Sequence, residues 1–222
     1  MARPKDADSA NTIDRILAAA REVVGEVGAD ACSFRAVAQR CDVSVGTISY
    51  YFQSKAELLE ACLDAYYDAV GELVTSLLAD IAERVDTIDA EDPSWASFFC
   101  EHVLGELVRF HRRRRSDLWL RMRNNQRERE LPKVRQMQAL GPYLNLLDDT
   151  LAPHTPHLTS LQRRLHVQTL TYAVTRFSVI DDEEFRVITG DVDDVDECIV
   201  DHLAHTARAL LFSPPATVGP QS

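Results

Sequence analysis

Apolar residues recur every three or four positions along most of the chain, the spacing that places them on one face of an α-helix. The first such segment runs from Asn11 to Val27, and Asn11 is predicted to cap it. The same spacing predicts further helices over 34–40, 45–52, 54–85, 94–107, 117–126, 131–151, 159–180 and 192–212. No strand is required, so the sequence predicts an all-α fold.

Three closely spaced helix starts follow the first helix. Ser33 and Ser44 precede two short helical segments, which are separated by a tight turn at 42–44. Ser54 and Glu57 have the spacing of a capping box, so a long fourth helix is predicted to begin there. A short helix, a turn and a second short helix form a helix-turn-helix, whose second helix lies in the major groove of DNA.

The second of these short helices has two different faces. Ile48 and Phe52 are predicted to face the core, whereas Gly46, Thr47 and Tyr50 point away from it. Glycine permits close backbone approach, and the two hydroxyls can reach phosphates or base edges. Three amphipathic helices also occur in proteins that never touch DNA. Adjacent tyrosines are often core residues, and we expect one of those at 50 and 51 to pack partly against the first helix.

The stretch SFRAVAQRCDVSVGTISYYFQSKAELL resembles the DNA-binding motif of the TetR (tetracycline-repressor-like) family, which commonly reads VSxGTLYxYFxSKExLL. The resemblance implies a homodimer that binds double-stranded DNA through an N-terminal three-helix domain. It also implies a larger helical domain that binds a small effector and dimerises through its last two long helices. The DNA contacts implied by position are Ser33, Arg35, Val45, Gly46, Thr47, Ser49, Tyr50, Tyr51 and Lys55. Val45 and Ser49 depart from the family pattern, and the helical wheel places Val45 nearer the inward side.

The resemblance and the helix pattern together divide the chain into four parts. Residues 1–10 are expected to form a disordered tail, and 11–56 the helix-turn-helix domain. Residues 57–212 are expected to form the effector-binding and dimerisation domain, and 213–222 a second disordered tail. Dimerisation would place two recognition helices about one DNA turn apart, so a roughly palindromic operator is expected.

Composition restricts the class of protein. Of 222 residues, 45% are hydrophobic and 27% charged, as in soluble globular proteins. No apolar run approaches the roughly 18 residues that span a bilayer, and no signal peptide is visible, so we expect a cytoplasmic protein without a membrane partner. The five cysteines include no CxxC pair, which is typical of a reducing compartment.

The charge is unevenly distributed. With 24 Lys and Arg against 35 Asp and Glu, the net charge of −11 argues by itself against a nucleic-acid partner. Residues 109–135, however, hold 11 basic and 3 acidic groups, whereas 181–201 hold 1 basic and 10 acidic groups. The arginine-rich segment has four open interpretations: it approaches DNA phosphate, holds an acidic effector, pairs with 181–201 across the dimer, or is solvated charge without a special role.

Bulky or polar groups within the apolar C-terminal helices are candidates for an effector site. They are Trp95, Phe99, His102, Trp119, Met122, Tyr143, His166 and Tyr172. Each residue is also compatible with an ordinary place in the core. Two apolar stripes are candidates for the dimer interface. The first holds positions 161, 165, 168, 172, 175 and 179, and the second 199, 203, 206 and 210.

Other chemistry finds little support in the sequence. Cys198, His202 and His205 share a helical face and are plausible ligands of a soft metal, but we predict neither a metal nor a cofactor. No GxSxG, HExxH, GxGxxG or GxxxxGK motif is present. The predicted function is a ligand-controlled transcriptional regulator, more often a repressor than an activator in this family. The alternatives are an effector-independent DNA-binding dimer and an all-α enzyme.

Overall fold

The computed structural model describes residues 5–87, 92–127 and 144–213, with side chains for 9–84, 92–122 and 144–213. All regular structure in these ranges is helical, which confirms the predicted all-α class. None of the described helices combines the length and apolarity needed to cross a membrane. The described chain divides into two compact units.

The first unit begins with four helices. They are α1 (Lys5–Ala31), α2 (Phe34–Cys41), α3 (Val45–Tyr51) and α4 (Lys55–Thr87), the last of which passes from the first unit into the second after Val74. Helix α1 begins before the predicted cap at Asn11, so residues 5–10, expected in a disordered tail, are helical. Near its other end α1 kinks at Gly28, whose φ of 80° is a conformation that glycine adopts readily.

The predicted caps of the short helices are present. Ser33 accepts a hydrogen bond from the backbone N–H of Ala36, and Ser44 accepts one from that of Thr47. Between the two helices Asp42 adopts φ 53°, a left-handed conformation that aspartate tolerates better than most residues. The sequence therefore encodes the helix-turn-helix locally, through side chains that satisfy the free backbone groups at each helix start.

The core of the first unit is formed by apolar residues from α1 to α4. Ile16, Val37, Ile48 and Leu58 are completely buried there. Leu120 joins them from α7 (Arg115–Arg127), a helix that lies in the segment predicted as the effector domain. Packing of α7 against α1 depends on contacts between residues about a hundred positions apart, which helical periodicity does not reveal.

The second unit contains the remaining helices. After α4 come α5 (Ser94–Ser97), a π-helical turn (Phe98–Val103) and α6 (Leu104–Arg113). The later elements are α8 (144–151), α9 (Ser160–Val179), α10 (Asp182–Thr189) and α11 (Val195–Ala207), which continues as a π-helical turn (Arg208–Phe212). Helix α10 was not predicted. The helix predicted over 131–151 lies outside the described residues before 144.

The two stripes predicted for the dimer interface have different environments. On α11, Ile199 and Leu203 are buried within the monomer, so the prediction that they face a partner is wrong. They lie on α11, which packs against α6 and α9 of the same chain. On α9, by contrast, Leu161, Leu165 and Tyr172 are exposed, whereas Val179, at the end of the predicted stripe, is buried within the monomer.

Two arginines of the basic segment pair with the acidic segment inside one chain. Arg112 is buried and donates to Asp182 and Asp196, and also to the carbonyl oxygen of Ile180, each at 2.6 Å. Arg109 pairs with Glu197 at 3.0 Å. For these two arginines the acidic partner is therefore intramolecular, because α6 packs directly against α11.

Candidate nucleic-acid interface

Helix α3 has one buried and one exposed face, as predicted. Ile48 and Phe52 are buried in the core of the first unit. Tyr50 is 82% exposed, Gly46 and Ser49 are exposed as well, and Thr47 is half-buried. The buried face fixes the helix while the opposite face is free to approach another molecule.

Val45 belongs to this exposed face, which corrects its predicted inward position. Its side chain is 44% exposed. Val45 is the first residue of a helix of only seven residues, and the buried contacts of α3 begin one turn later, at Ile48. A helical wheel assumes that the helix packs against the core along its whole length. The first turn of this short helix does not pack in that way.

Hydrogen bonds hold several hydroxyl groups of the face. The hydroxyl of Thr47 lies 2.8 Å from that of Ser44, the residue that caps α3. The Tyr51 hydroxyl is 3.2 Å from that of Ser9 on α1, which agrees with the expectation that one tyrosine packs against the first helix. The ring of Tyr51 also contacts that of Tyr50 edge to face, with centroids 5.0 Å apart. Tyr51 thereby restricts the position of the exposed Tyr50 ring.

Helix α2 contributes two further residues at its N-terminal end. Ser33 and Arg35 are both exposed. Arg40, at the other end of the helix, instead forms ion pairs with Glu22 at 3.0 Å and Glu26 at 2.6 Å. Arg35 thus offers a solvated guanidinium at the N-terminal end of α2.

Lys55 has partners that the sequence did not indicate. Its ammonium donates to the carbonyl oxygens of Ala29 at 3.2 Å and Asp30 at 2.8 Å, at the end of α1. Beside it, the predicted capping box is half formed. Ser54 accepts from the N–H of Glu57, but the Glu57 carboxylate accepts from the N–H of Gln53 instead of that of Ser54.

Comparison with known proteins identifies this arrangement. Residues 16–62 match the model for bacterial regulatory proteins of the TetR family. The N-terminal domain of this chain belongs to the TetR family. The TetR-family match covers α2, α3 and most of the buried core around them, so the exposed face of α3 lies inside it.

One curated relative and two solved structures are similar to the chain. The HTH-type transcriptional repressor KstR of Mycolicibacterium smegmatis is 41% identical over 56 residues, 25% of this chain and 28% of that repressor. A TetR-like transcriptional regulator from Rhodococcus sp. RHA1 superposes with a TM-score of 0.59 at 19% identity, over 88% of this chain and 93% of that one. The fatty acid degradation regulator FadR from Bacillus halodurans gives 0.50 at 20% identity, over 95% and 96%. These two structures support the fold of the chain beyond its N-terminal domain.

Two of the predicted effector residues come together in the second unit. Trp95 is buried. Its ring stacks on that of Phe98, with ring centroids 5.4 Å apart, and meets that of Phe99 edge to face, with centroids 6.3 Å apart. The ring of His154 meets the same indole edge to face, with ring centroids 4.2 Å apart. Burial lowers the pKa of His154 to about 4, so its ring is neutral at neutral pH. The indole N–H of Trp95 has no hydrogen-bond partner among the described residues.

His102 adjoins this cluster, because its ring stacks on that of Phe98, whereas the other described candidates lie elsewhere. The His102 ring is exposed, and its Nε2 lies 3.0 Å from the Asp80 carboxylate. Trp119, 52% exposed, and the half-buried Met122 belong to the first unit, whereas the aromatic cluster belongs to the second. On α9, His166 is half-buried and Tyr172 is 68% exposed. Tyr143 lies outside the described residues.

Sequence reasoning missed Phe98 and His154 as members of the aromatic cluster. Phe98 follows Trp95 by three positions, so helical spacing was a usable signal, whereas His154 is distant in sequence and gave none. Within the described ranges, no group of three or more His, Cys, Asp or Glu side chains is arranged to hold a metal ion. His202, one of the residues considered as a ligand, contacts the ring of Phe177 at 5.4 Å.

Proposed function

We propose that this protein is a DNA-binding transcriptional regulator, acting as a repressor that a small-molecule effector releases from a palindromic operator. The observation that carries the proposal is the exposed face of α3, centred on Tyr50, within a TetR-family domain. A large aromatic side chain that is 82% exposed, on a helix whose other face is buried, is poorly explained by folding alone.

In this proposal α3 lies in the major groove. Tyr50 and Val45 supply apolar contacts to base edges, while Gly46 allows the backbone to approach closely. The hydroxyls of Thr47, Ser49 and Tyr51 and the N-terminal end of α2, with Ser33 and Arg35, contact phosphates. Phosphate contacts set the position of the helix, and the α3 side chains provide sequence discrimination.

The proposed homodimer uses the exposed stripe of α9. Leu161, Leu165 and Tyr172 lie along one side of this helix. A second copy of the chain would bury them by two-fold symmetry, and the same symmetry would present two copies of α3 to a palindromic site.

The proposed effector site is the Trp95 cluster of the second unit. Trp95 and Phe99 offer apolar surface, and the indole N–H, which has no partner within the described part of the chain, offers one donor to a ligand acceptor. Helix α4 connects Lys55, next to α3 in sequence, with residues of the second unit. An effector that binds better to a conformer unsuited to DNA lowers operator affinity by linkage. Binding and release require no catalysis, so the proposed regulator is not an enzyme. Its proposed location is the cytoplasm, where bacterial transcription takes place.

The test uses duplex DNA selected from a random pool by the wild-type protein, with binding followed by fluorescence anisotropy. Tyr50→Ala is expected to reduce discrimination between selected and unrelated DNA by about tenfold, since a good base contact contributes about 1–3 kcal/mol. Tyr67→Ala, which removes a tyrosine that is also exposed but lies on α4, is the matched control and should leave discrimination unchanged. Undiminished discrimination in Tyr50→Ala would contradict the assigned recognition face.

A further inference from the structure

Lys55 places its positive charge at the end of a neighbouring helix. It is the first residue of α4, and its ammonium donates to Asp30 and Ala29 carbonyl oxygens at 2.8 and 3.2 Å. The last carbonyls of a helix have no partner inside the helix and carry its partial negative charge. Ala29 and Asp30 lie in the last turn of α1, beyond the kink at Gly28, so a lysine that donates to both of their carbonyls acts as a C-terminal cap of that last turn.

The capped end of α1 leads directly to α2. Only Cys32 and Ser33 separate the two helices, and Cys32 is buried, with its N–H donating to the Gly28 carbonyl at 3.1 Å. Ser33 then caps α2, which carries Arg35. The point at which α2 begins is thus held by the buried Cys32 from inside and by Lys55 from the start of α4.

We propose that Lys55 is a positioning residue that holds the connection between α1 and α2, and so the phosphate-binding end of α2, instead of binding a DNA phosphate itself. This inference rests on the proposed DNA-binding function. It differs from the family resemblance, which implies a DNA contact at this position. Geometry favours the cap, because two of the three ammonium donors already have carbonyl acceptors within hydrogen-bonding distance.

The two roles predict different salt dependence. A lysine that neutralises a phosphate contributes about 0.9 to the slope of log K against log[salt], whereas a lysine that acts within the protein leaves that slope unchanged. Lys55→Met removes both the charge and the donors. Arg40→Gln is the matched control, because it removes one positive charge from the same unit at a residue paired with Glu22 and Glu26.

The measurements are the Tm of the full-length protein and its affinity for selected duplex DNA over a series of salt concentrations. We expect Lys55→Met to lower Tm by about 2–4 °C relative to Arg40→Gln. DNA binding should weaken by the same factor at every salt concentration, with the slope of the control. A slope reduced by about 0.9 relative to the control would overturn the proposal, and so would an unchanged Tm.

Lys55→Gln tests the same point with a milder change, in case the methionine variant folds poorly. Glutamine retains an N–H donor but no charge, so the cap predicts a Tm between wild type and Lys55→Met with an unchanged slope. A phosphate contact predicts that the salt slope of Lys55→Gln falls by about 0.9, as for Lys55→Met, and that result would overturn the proposal. If the wild-type protein selects no DNA, the proposed function fails instead, and the order of Tm values still tests the cap.

Discussion

The two compact units each bury an aspartate, but the two carboxylates have opposite surroundings. In the first unit, Asp117 on α7 has Arg21 at 3.8 Å and Arg114 at 3.7 Å, and its Oδ1 has no hydrogen-bond partner among the described residues. In the second unit, Asp148 on α8 accepts from Arg163 at 2.7 Å, from Arg164 at 3.2 Å and from the hydroxyl of Ser160.

The surroundings move the two pKa values in opposite directions. Burial raises the pKa of Asp117 above its ordinary value of 3.8, and the two distant arginines oppose the rise only in part. Burial also acts to raise the pKa of Asp148, but hydrogen bonds from Ser160, Arg163 and Arg164 together bring it below 3.8. A buried charge therefore stabilises a unit only where donors replace the water that it has lost.

The strongest test of this comparison is Asp148→Asn. The amide loses the charge that holds Arg163, which is itself buried, so we expect a loss of about 3 kcal/mol in the free energy of unfolding. Urea unfolding of the full-length protein measures it. Asp149→Asn, an exposed neighbour, should change stability by less than about 0.5 kcal/mol. Equal effects of the two variants would contradict a special role for the buried carboxylate.

We expect Asp117→Asn to change the free energy of unfolding in the opposite direction from Asp148→Asn, and by a smaller amount. Removal of a buried charge whose Oδ1 has no hydrogen-bond partner among the described residues should increase the free energy of unfolding by about 1 kcal/mol at neutral pH. The same unfolding measurement applies. A decrease would show that Arg21 and Arg114 favour the ionised carboxyl more than burial opposes it.

The pH dependence should separate the two sites further. The raised pKa of Asp117 means that its contribution to stability is fully present below pH 3.8 and is lost as pH rises through the pKa of the folded state. For Asp148 the contribution is fully present above pH 3.8 and is lost as pH falls through the lowered pKa.

Unfolding free energies of wild type and both variants, measured on each side of pH 3.8, test these windows. The difference between wild type and Asp117→Asn should develop above that pH, and the difference for Asp148→Asn should disappear below it. If both differences changed in the same pH window, the assignment of opposite pKa shifts to Asp117 and Asp148 would be wrong.

Much of the first unit was predictable because its signals are local. Ser33 and Ser44 lie immediately before the helices that they cap, and Ile48 and Phe52 follow helical spacing. The TetR-like motif lies in one short stretch, so the position of Tyr50 on the exposed face needed no information from distant residues. The inward position predicted for Val45 was wrong, because a helical wheel does not show where a short helix begins to pack.

The second unit was less predictable because its contacts join distant segments. Ile199 and Leu203 have a pattern similar to that of Leu161 and Leu165, yet only the latter pair is exposed. Periodicity shows that a face is apolar but does not say whether the same chain or another molecule covers it. Trp119 could likewise not be assigned to the first unit, because nothing near it in sequence indicates packing of α7 against α1.

The sequence by itself determined the helices, their caps, the helix-turn-helix and its exposed face, because these depend on side chains within about one helical turn of each other. Only the tertiary structure decided that Lys55 caps α1, that Arg112 is enclosed by Asp182 and Asp196, and that Asp117 and Asp148 differ. These outcomes depend on which remote groups approach within hydrogen-bonding distance, and electrostatic energies in a buried site change steeply over that distance.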